Sequence, residues 1–483
     1  MKKIKILTKL AFTVVFAAFI PSCAVNPVTG GRQLMLMSEA QEIKLGTEYD
    51  PTVVATFGLY ENAGIEAFIT QRGTEMGKIS HRPNLQYRFR ILDSPVINAF
   101  AVPGGYIYFT RGILAQFNNE AELIGVLGHE MGHITARHTA SQQSKQQLGQ
   151  LLLLGGMIAS EELRQFADYA TQGMQLLFLK YSRDNEREAD NLGVEYSSKI
   201  GYDAKEMAEF FNVLNKMNME SEHAGVPTFL STHPDPGDRY NSVLQQTNTW
   251  QQKLNVDNWA VNSDNYLSMI DGLVYGEDPR QGFVENGVFY HPILKFRYPI
   301  PAGWSFQNSP VQVQMASADG NAMIVFTLAE QRTVDEAAQT AVKELGLTTL
   351  ESKKVTVNSL PATALVSQQV SQNQQTIKVF SYFIEYNGSV YTFHGVSTEE
   401  NYNKYSSIFE TTMGSFNQLT DASKLNVKPQ RIKIQSVRNE GTLADAFNYY
   451  KVPQAKMAEL ALLNNMNLTD RVQAGKLIKV IGE

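Results

Sequence analysis

His129-Glu130-Met131-Gly132-His133, inside the largely apolar run of residues 121–138, is the stretch that decides the fold of this chain. Positions i and i+4 of an α-helix lie on the same face, so His129 and His133 can bind one metal ion together. Glu130 directly follows the first ligand and can hold and deprotonate a water molecule at that metal. The stretch therefore predicts a helix that carries a zinc site with its own general base.

The residues around this motif predict that the helix is buried. Its apolar members are Leu123, Ile124, Val126, Leu127, Met131 and Ile134. Unpaired His and Glu side chains are costly in a protein core, so a buried helix with this motif needs partners for them. Small residues also recur along one side, at spacings of three and four. They are Ala121, Gly125, Gly128, Gly132 and Ala136, and they predict close packing against another element.

A catalytic zinc site needs three protein ligands and one open position, so a further ligand must come from elsewhere in the chain. Residues 181–190 offer Glu186 and Asp190 at i and i+4 of a second predicted helix. A glutamate of this segment would bind zinc, and Asp190 would accept a hydrogen bond from a ligand imidazole. Spacing alone leaves Glu186 and Glu188 both open as the ligand. A solvated, charged helix face is the alternative interpretation.

The combination of residues 128–133 (GHEMGH) with residues 182–190 (SRDNEREAD) resembles metallopeptidase family 48, a gluzincin group. Residues 98–105 (NAFAVPGG) and 231–239 (STHPDPGDR) are similar to the same family. The resemblance covers roughly residues 24–245 and implies a mainly α-helical, zincin-type peptidase domain with a small β-sheet and one zinc ion. It implies that the zinc ligands are His129, His133 and Glu186, with Asp190 behind them and Glu130 as the base.

Strands are predicted just before the zinc helix. Apolar residues alternate along 87–91, and the runs 96–102 and 106–109 continue strand-like on either side of a Pro-Gly-Gly turn. A strand in this place can lie at a sheet edge, where an extended substrate adds to it through main-chain hydrogen bonds. The predicted substrate-binding residues are Asn98, Ala99 and Phe100. An ordinary buried hairpin is the alternative.

His233 precedes Pro234, which places it in an extended or turn segment rather than inside a helix. The resemblance implies that this region faces the metal, and two hypotheses stay open. His233 donates to the developing oxyanion with help from Arg239, or it occupies the fourth zinc position and holds the enzyme inactive until substrate arrives. His138 is predicted to lie on the helix surface near the site.

The N-terminus predicts export from the cytoplasm. A basic start and the apolar run 10–20, which is too short for a membrane span, indicate a secretory signal. Cys23 is the only cysteine, so it forms no internal disulfide, and its position resembles the bacterial lipobox. A lipid on Cys23 would anchor the protein to a membrane. By resemblance to bacterial sorting rules, Ala24 implies the outer membrane, facing the periplasm.

The length of 483 residues and the hydrophobic content of 43% indicate several globular domains. The predicted boundaries are 1–22 for the signal peptide, 23–37 for a lipid-anchored tether, 38–250 for the zinc peptidase domain, 251–284 for a linker, 285–420 for an α+β domain and 428–483 for a small LysM-like α/β module. Ser38 and Gln41 predict a capping box that opens the first folded helix. The apolar run 148–158 is interpreted as a buried helix or a lid over the cleft.

Both C-terminal parts show only weak functional signals. Residues 299–304 (PIPAGW) resemble the opening of PsbP- or Mog1-like domains, and no catalytic constellation follows them. Residues 440–443 and 472–480 resemble the LysM fold, a strand-helix-helix-strand module that binds peptidoglycan glycans in relatives. Packing or partner docking is the alternative role for this module.

A net charge of −6 and the lack of basic runs argue against nucleic-acid binding. The sequence therefore predicts a zinc endopeptidase of the bacterial envelope. The resemblance alone implies that its substrates are unfolded or misassembled envelope proteins and that its task is quality control or maturation at the outer membrane. The alternative is a non-catalytic envelope scaffold or peptidoglycan-binding adaptor that works through the C-terminal modules.

Overall fold

The computed structural model describes residues 23–144, 181–220, 228–233, 236–370 and 376–483. The predicted signal peptide and the apolar run 148–158 lie outside these residues. No helix in the described ranges combines the length and the apolar character that a membrane crossing needs.

The N-terminal half is mainly α-helical with a small sheet, as predicted. Its elements are β1 Cys23–Val25, β2 Arg32–Leu34, α1 Glu39–Phe57, α2 Ala63–Ile79, β3 Arg88–Leu92, β4 Ala99–Val102, β5 Tyr106–Thr110, α3 Arg111–Gln116, α4 Glu120–Thr135, α5 Arg183–Lys199, α6 Lys205–Glu220, α7 Thr228–Thr232, α8 Pro236–Leu254 and α9 Ser263–Ile270. The sheet has the order β3-β5-β4, with β3 parallel and β4 antiparallel to β5. The capping box of Ser38 and Gln41 opens α1 and is confirmed.

Helix α4 carries the zinc motif and is buried along its whole length. It begins where the Asn119 side chain accepts a hydrogen bond from the Glu122 N–H, which satisfies one of the free amides of the first turn. It ends at Thr135, earlier than the predicted helical run to His138. The reason is Arg137, whose φ of 59° interrupts the helix before the chain becomes helical again at residue 138.

The glycines of α4 serve close packing, which confirms that prediction. A Cβ added to Gly128 would lie 3.0 Å from the Cα of Gly193, and one added to Gly132 would lie 3.1 Å from the Cα of Ala189. Both of these neighbours are on α5. The two helices therefore approach backbone to backbone, and this approach brings the motif of α4 beside the acidic residues of α5.

Two segments predicted as connectors are packed into the structure instead. Residues 23–37 form the β1–β2 hairpin and its continuation, where Asn26 is buried and the Leu36 N–H donates to Ser144 Oγ at 3.0 Å. In the predicted linker 251–284, α9 adds buried residues to the main core, and the Tyr266 hydroxyl donates to the Leu114 carbonyl at 2.6 Å. Short polar elements of this kind carry too little periodicity to separate them from loops.

A second body of strands follows. Its elements are β6 Phe283–Glu285, β7 Val288–His291, β8 Phe296–Pro299, β9 Ser305–Asn308, β10 Gln312–Ala316, β11 Ala322–Leu328, α10 Val334–Glu344, β12 Thr348–Val357, β13 Leu360–Val370, β14 Thr376–Tyr386, β15 Ser389–Thr398, α11 Glu399–Gly414, β16 Asn417–Gln418 and α12 Ala422–Leu425. One sheet has the order β12-β13-β14-β15-β11-β10-β9 and another has the order β16-β8-β7-β6. Strand β12 is mostly exposed and lies at the edge of the larger sheet.

The C-terminal residues form β17 Arg431–Ser436, β18 Gly441–Thr442, α13 Leu443–Tyr449, α14 Gln454–Leu463, β19 Arg471–Val472 and β20 Leu477–Gly482. Strands β17 and β20 pair antiparallel around the two helices. This order of elements agrees with the strand-helix-helix-strand expectation. The LysM name and any glycan binding stay predictions.

Lys479 of β20 joins this last module to the N-terminal half. Its fully buried amine donates to the carbonyls of Ala115, Phe117 and Leu463 at 2.9, 2.7 and 2.9 Å, and to that of Gln116 at 3.2 Å. These carbonyls lie at the C-terminal ends of α3 and α14, where helical carbonyls lack intrahelical partners and a positive charge is favourable.

Candidate active site

Four side chains converge where α4 and α5 meet the end of α7. They are His129, His133, Glu186 and His233, all buried, and one possible ligand atom of each lies within 4.8 Å of the others. The Nε2 atoms of His129 and His133 are 3.0 Å apart, and His233 Nδ1 is 3.2 Å from His129 Nε2. Burial, followed by the neighbouring imidazoles, lowers the pKa of His133 well below its usual value. Neutral imidazoles with a carboxylate are a donor set that zinc binds.

Glu130 lies on α4 beside this cluster and is completely buried. Neither of its carboxylate oxygens has a hydrogen-bond partner in the described part of the chain, although His233 Nε2 lies 3.6 Å from Oε1. Burial raises the pKa of the carboxyl group. A buried carboxylate without hydrogen bonds is costly, so this group is arranged for a partner that the described residues do not supply.

Asp190 and Arg239 stand behind the cluster. His129 Nδ1 is 2.9 Å from Asp190 Oδ1, which leaves Nε2 of the same ring toward the cluster. Arg239 donates to both Asp190 oxygens, at 2.8 and 2.6 Å, and its Nη1 is 3.2 Å from Glu186 Oε2. Burial works to raise the pKa of Asp190, but the charge and hydrogen bonds of Arg239, together with His129, lower it to about 2.

The contacts of Arg239 bear on its predicted catalytic role, which stays a prediction. All three guanidinium nitrogens have partners, since Nη1 also lies 3.4 Å from the His233 carbonyl. The group also packs against the ring of Phe211, 4.1 Å from its centroid. Arg239 thus holds the Asp190 and Glu186 carboxylates in place.

His233 directly follows α7, in agreement with its predicted position outside a helix. Its backbone N–H donates to the Phe229 carbonyl at 2.8 Å, and the His233 and Phe229 rings stack with centroids 4.5 Å apart. This packing turns Nδ1 toward Glu186, 3.1 Å from each carboxylate oxygen. The ring nitrogen is therefore within coordination distance of the same centre as the other three side chains.

Sequence reasoning missed the surroundings of His133. His138, predicted on the surface, is 2% exposed, and its Nδ1 lies 3.0 Å from His133 Nδ1. Its Nε2 is 3.2 Å from an oxygen of Glu188, the residue that competed with Glu186 as predicted ligand. Tyr181 stacks on the His133 ring with centroids 3.9 Å apart. No sequence signal marked His138, because only the helix break after Thr135 turns it back toward the site.

The predicted substrate strand is β4, which is an edge strand of its sheet and fully buried. Ala99 and Phe100 belong to it, and Asn98 precedes it. The Phe229 N–H of α7 donates to the Ile97 carbonyl at 3.0 Å, so the chain just before β4 already has a main-chain partner. Substrate binding along this strand stays a prediction.

The Peptidase family M48 model matches residues 66–247. These residues are a Peptidase family M48 domain. The cluster of His129, His133, Glu186 and His233 lies inside the M48 domain, and together they indicate a metal-dependent hydrolase.

Two curated relatives illustrate the similarity. The β-barrel assembly-enhancing protease of Yersinia pestis is 26% identical over 238 residues, which are 47% of this chain and 48% of that protein. The mitochondrial metalloendopeptidase OMA1 of Arabidopsis thaliana is 32% identical over 178 residues, which are 36% of this chain and 34% of that protein. The chain thus spans about half the length of these relatives or less.

One solved structure that is similar to part of the chain is the cyanobacterial PsbP protein of Synechocystis. The identity is 11%, the TM-score is 0.23, and the similarity covers 27% of this chain and 91% of that one. At this score the PsbP- or Mog1-like character of residues 285–420 stays a prediction.

Proposed function

We propose that this protein is a zinc-dependent endopeptidase in which His129, His133 and Glu186 hold the metal and Glu130 is the general base. One observation carries the proposal. The Glu130 carboxylate is buried and has no hydrogen-bond partner among the described residues, and it lies directly beside a convergent set of zinc-type ligands. Asp190 and Arg239 would keep the His129 ring and the Glu186 carboxylate oriented toward the ion.

The residues fit the chemistry of peptide hydrolysis. A bound zinc ion would lower the pKa of a water molecule and polarise the scissile carbonyl. Glu130 would accept the proton of that water and return it to the leaving amine. Its burial raises the pKa of the carboxyl, which favours the protonated form that the second transfer requires.

We further propose that His233 holds the fourth ligand position in the resting enzyme and moves away when substrate binds. Its Nδ1 lies within 3.2 Å of His129 and Glu186 atoms, which supports this role over that of an oxyanion donor. A ligand in the fourth position leaves no place for water or substrate.

The proposed setting is the bacterial cell envelope, with the protein anchored through Cys23 to the outer membrane and facing the periplasm. Its proposed substrates are unfolded or misassembled envelope proteins, in quality control or maturation. Support comes from the predicted signal and lipobox, and from similarity to a protein named β-barrel assembly-enhancing protease.

Glu130→Gln tests the enzymatic proposal. We expect cleavage of an unfolded casein substrate to fall by roughly 10²–10⁴-fold, the usual contribution of a general base, while zinc content is unchanged. Glu48→Gln, which changes an exposed glutamate, serves as the control. Cleavage that survives Glu130→Gln with zinc bound would contradict the mechanism. Cells that need the protein but not Glu130 would favour the non-catalytic scaffold.

A further inference from the structure

A second line of hydrogen bonds reaches the cluster of metal-ligand side chains, through His133 rather than through His129. It starts at His133 Nδ1, which lies 3.0 Å from His138 Nδ1. His138 Nε2 is 3.2 Å from Glu188 Oε2, and the other Glu188 oxygen accepts from Asn26 Nδ2 at 3.0 Å. The line therefore joins three parts of the chain that are distant in sequence: the N-terminal hairpin, the end of the motif region and α5.

The possible proton positions along this line are restricted. His133 Nε2 faces the cluster, so a ring that binds metal through this atom carries its proton on Nδ1. His133 then donates to His138 Nδ1, which can accept only when the His138 proton is on Nε2. From Nε2, His138 donates to the Glu188 carboxylate. Each neutral ring thus has one tautomer that satisfies both of its neighbours.

The orientation of Asn26, at the far end of the line, is also fixed. The Asn26 side-chain oxygen accepts from the backbone N–H groups of Val28 and Thr29, at 2.8 and 3.3 Å. These bonds determine which way the amide points, so that its NH₂ group faces Glu188. Asn26 is only 6% exposed. The turn of the hairpin therefore presents one oriented donor to the carboxylate.

We propose that His138 and Glu188 are positioning residues that orient the ligand His133, with Asn26 holding Glu188. The two ligand imidazoles are then supported in parallel. His129 is supported directly by the carboxylate of Asp190, and His133 is supported by the carboxylate of Glu188 through one intervening imidazole. This inference rests on the proposed function, because it requires that His133 bind the metal.

The arrangement also ties the N-terminal hairpin to the metal site. If the contact of Asn26 with Glu188 favours the binding orientation of His133, metal binding must favour that contact by the same free energy. The segment predicted as a loose tether is thus part of the support of a ligand.

Glu188→Ala in the full-length protein tests the proposal through metal affinity rather than activity. We expect zinc affinity, measured by competition with a chelator at one pH, to fall roughly tenfold or more, because outer partners of ligand histidines typically contribute 10–100-fold. Glu195→Ala is the matched control. It removes a carboxylate of similar exposure, with side chains 24% and 15% exposed, from the same helix, and its partner Lys199 lies outside the site.

A double-variant comparison separates orientation from general destabilisation. His138→Phe keeps a ring in place but removes both nitrogens, and we expect a similar loss of affinity. Glu188 acts on His133 only through His138. The double variant Glu188→Ala, His138→Phe should therefore lose no more zinc affinity than His138→Phe alone. A merely structural role would instead lower the thermal stability of the metal-free protein and leave zinc affinity unchanged.

The outcomes are distinct. Glu188→Ala that binds zinc as tightly as Glu195→Ala overturns the positioning role and leaves the proposed function standing. Additive losses in the double variant overturn the route through His138. Unaltered protein that binds no zinc overturns the proposed function and this inference with it. If Glu188→Ala does not fold, Asn26→Asp replaces it, since this change keeps the turn acceptor, removes the donor to Glu188 and should weaken zinc binding several-fold.

Discussion

The cluster of His129, His133, Glu186 and His233 and the contact of Lys479 with the ends of α3 and α14 are both buried and polar, but their groups find partners in different ways. The Lys479 amine has four carbonyl partners, all within the chain. In the cluster, imidazole nitrogens and carboxylate oxygens converge on one centre, and neither oxygen of Glu130 has a hydrogen bond from the described residues. A polar cluster whose partners all come from the protein holds the structure together. A cluster that the described residues leave incomplete marks a place for a ligand.

Lys479→Met tests the Lys479 contact, and of the substitutions discussed below it should cause the largest change in free energy. The substitution leaves four buried carbonyls without their donor, and we expect a loss of about 3–5 kcal/mol in the free energy of unfolding, as when one partner of a buried charged contact is removed. Zinc affinity should be unchanged. Denaturant unfolding and chelator competition measure the two quantities.

Lys476→Met is the control, because Lys476 is exposed in the same module. Equal stability of the two variants would show that the buried amine is dispensable, and the comparison between the clusters would then fail.

His394, on β15, is a second buried polar side chain that has its partner within the protein. Its Nδ1 pairs with Ser381 Oγ at 2.7 Å, and burial lowers its pKa from 6.5 to about 4. Between these values the unfolded chain binds the extra proton, so stability falls as the pH drops from about 6.5 to 4, by at most about 3 kcal/mol. His394→Gln should flatten this dependence in unfolding measurements across that range. An unchanged slope would contradict the buried neutral state.

His233→Ala tests the incomplete cluster and should have the smallest effect in free energy. If His233 competes with substrate for the fourth position, its removal should raise kcat/KM on an unfolded protein about tenfold, which corresponds to about 1.4 kcal/mol. The measurement is the initial rate of cleavage with zinc saturating. A lower rate with zinc still bound would instead support the oxyanion role.

Much of the site could be predicted because its chemistry is local in sequence. The i, i+4 spacing of His129 and His133 needs only one helix, and the glycine stripe indicated the contact that the structure shows between α4 and α5.

The remaining features depend on contacts between segments that are distant in sequence. The burial of His138 follows from the positive φ of Arg137. The contacts of Arg239 with the carboxylates of α5 follow from the packing of α8 against α5. Asn26 lies 162 residues from the Glu188 that it contacts. No local pattern encodes such a pair.

The sequence by itself determined that a helix would present two imidazoles and a carboxylate from one turn, because side-chain direction on a helix is set by its period. Only the tertiary structure decided which acidic residue faces them, which groups orient their rings and which buried groups are left without partners. Those outcomes depend on how separate helices pack, and packing is settled by the whole core rather than by any one segment.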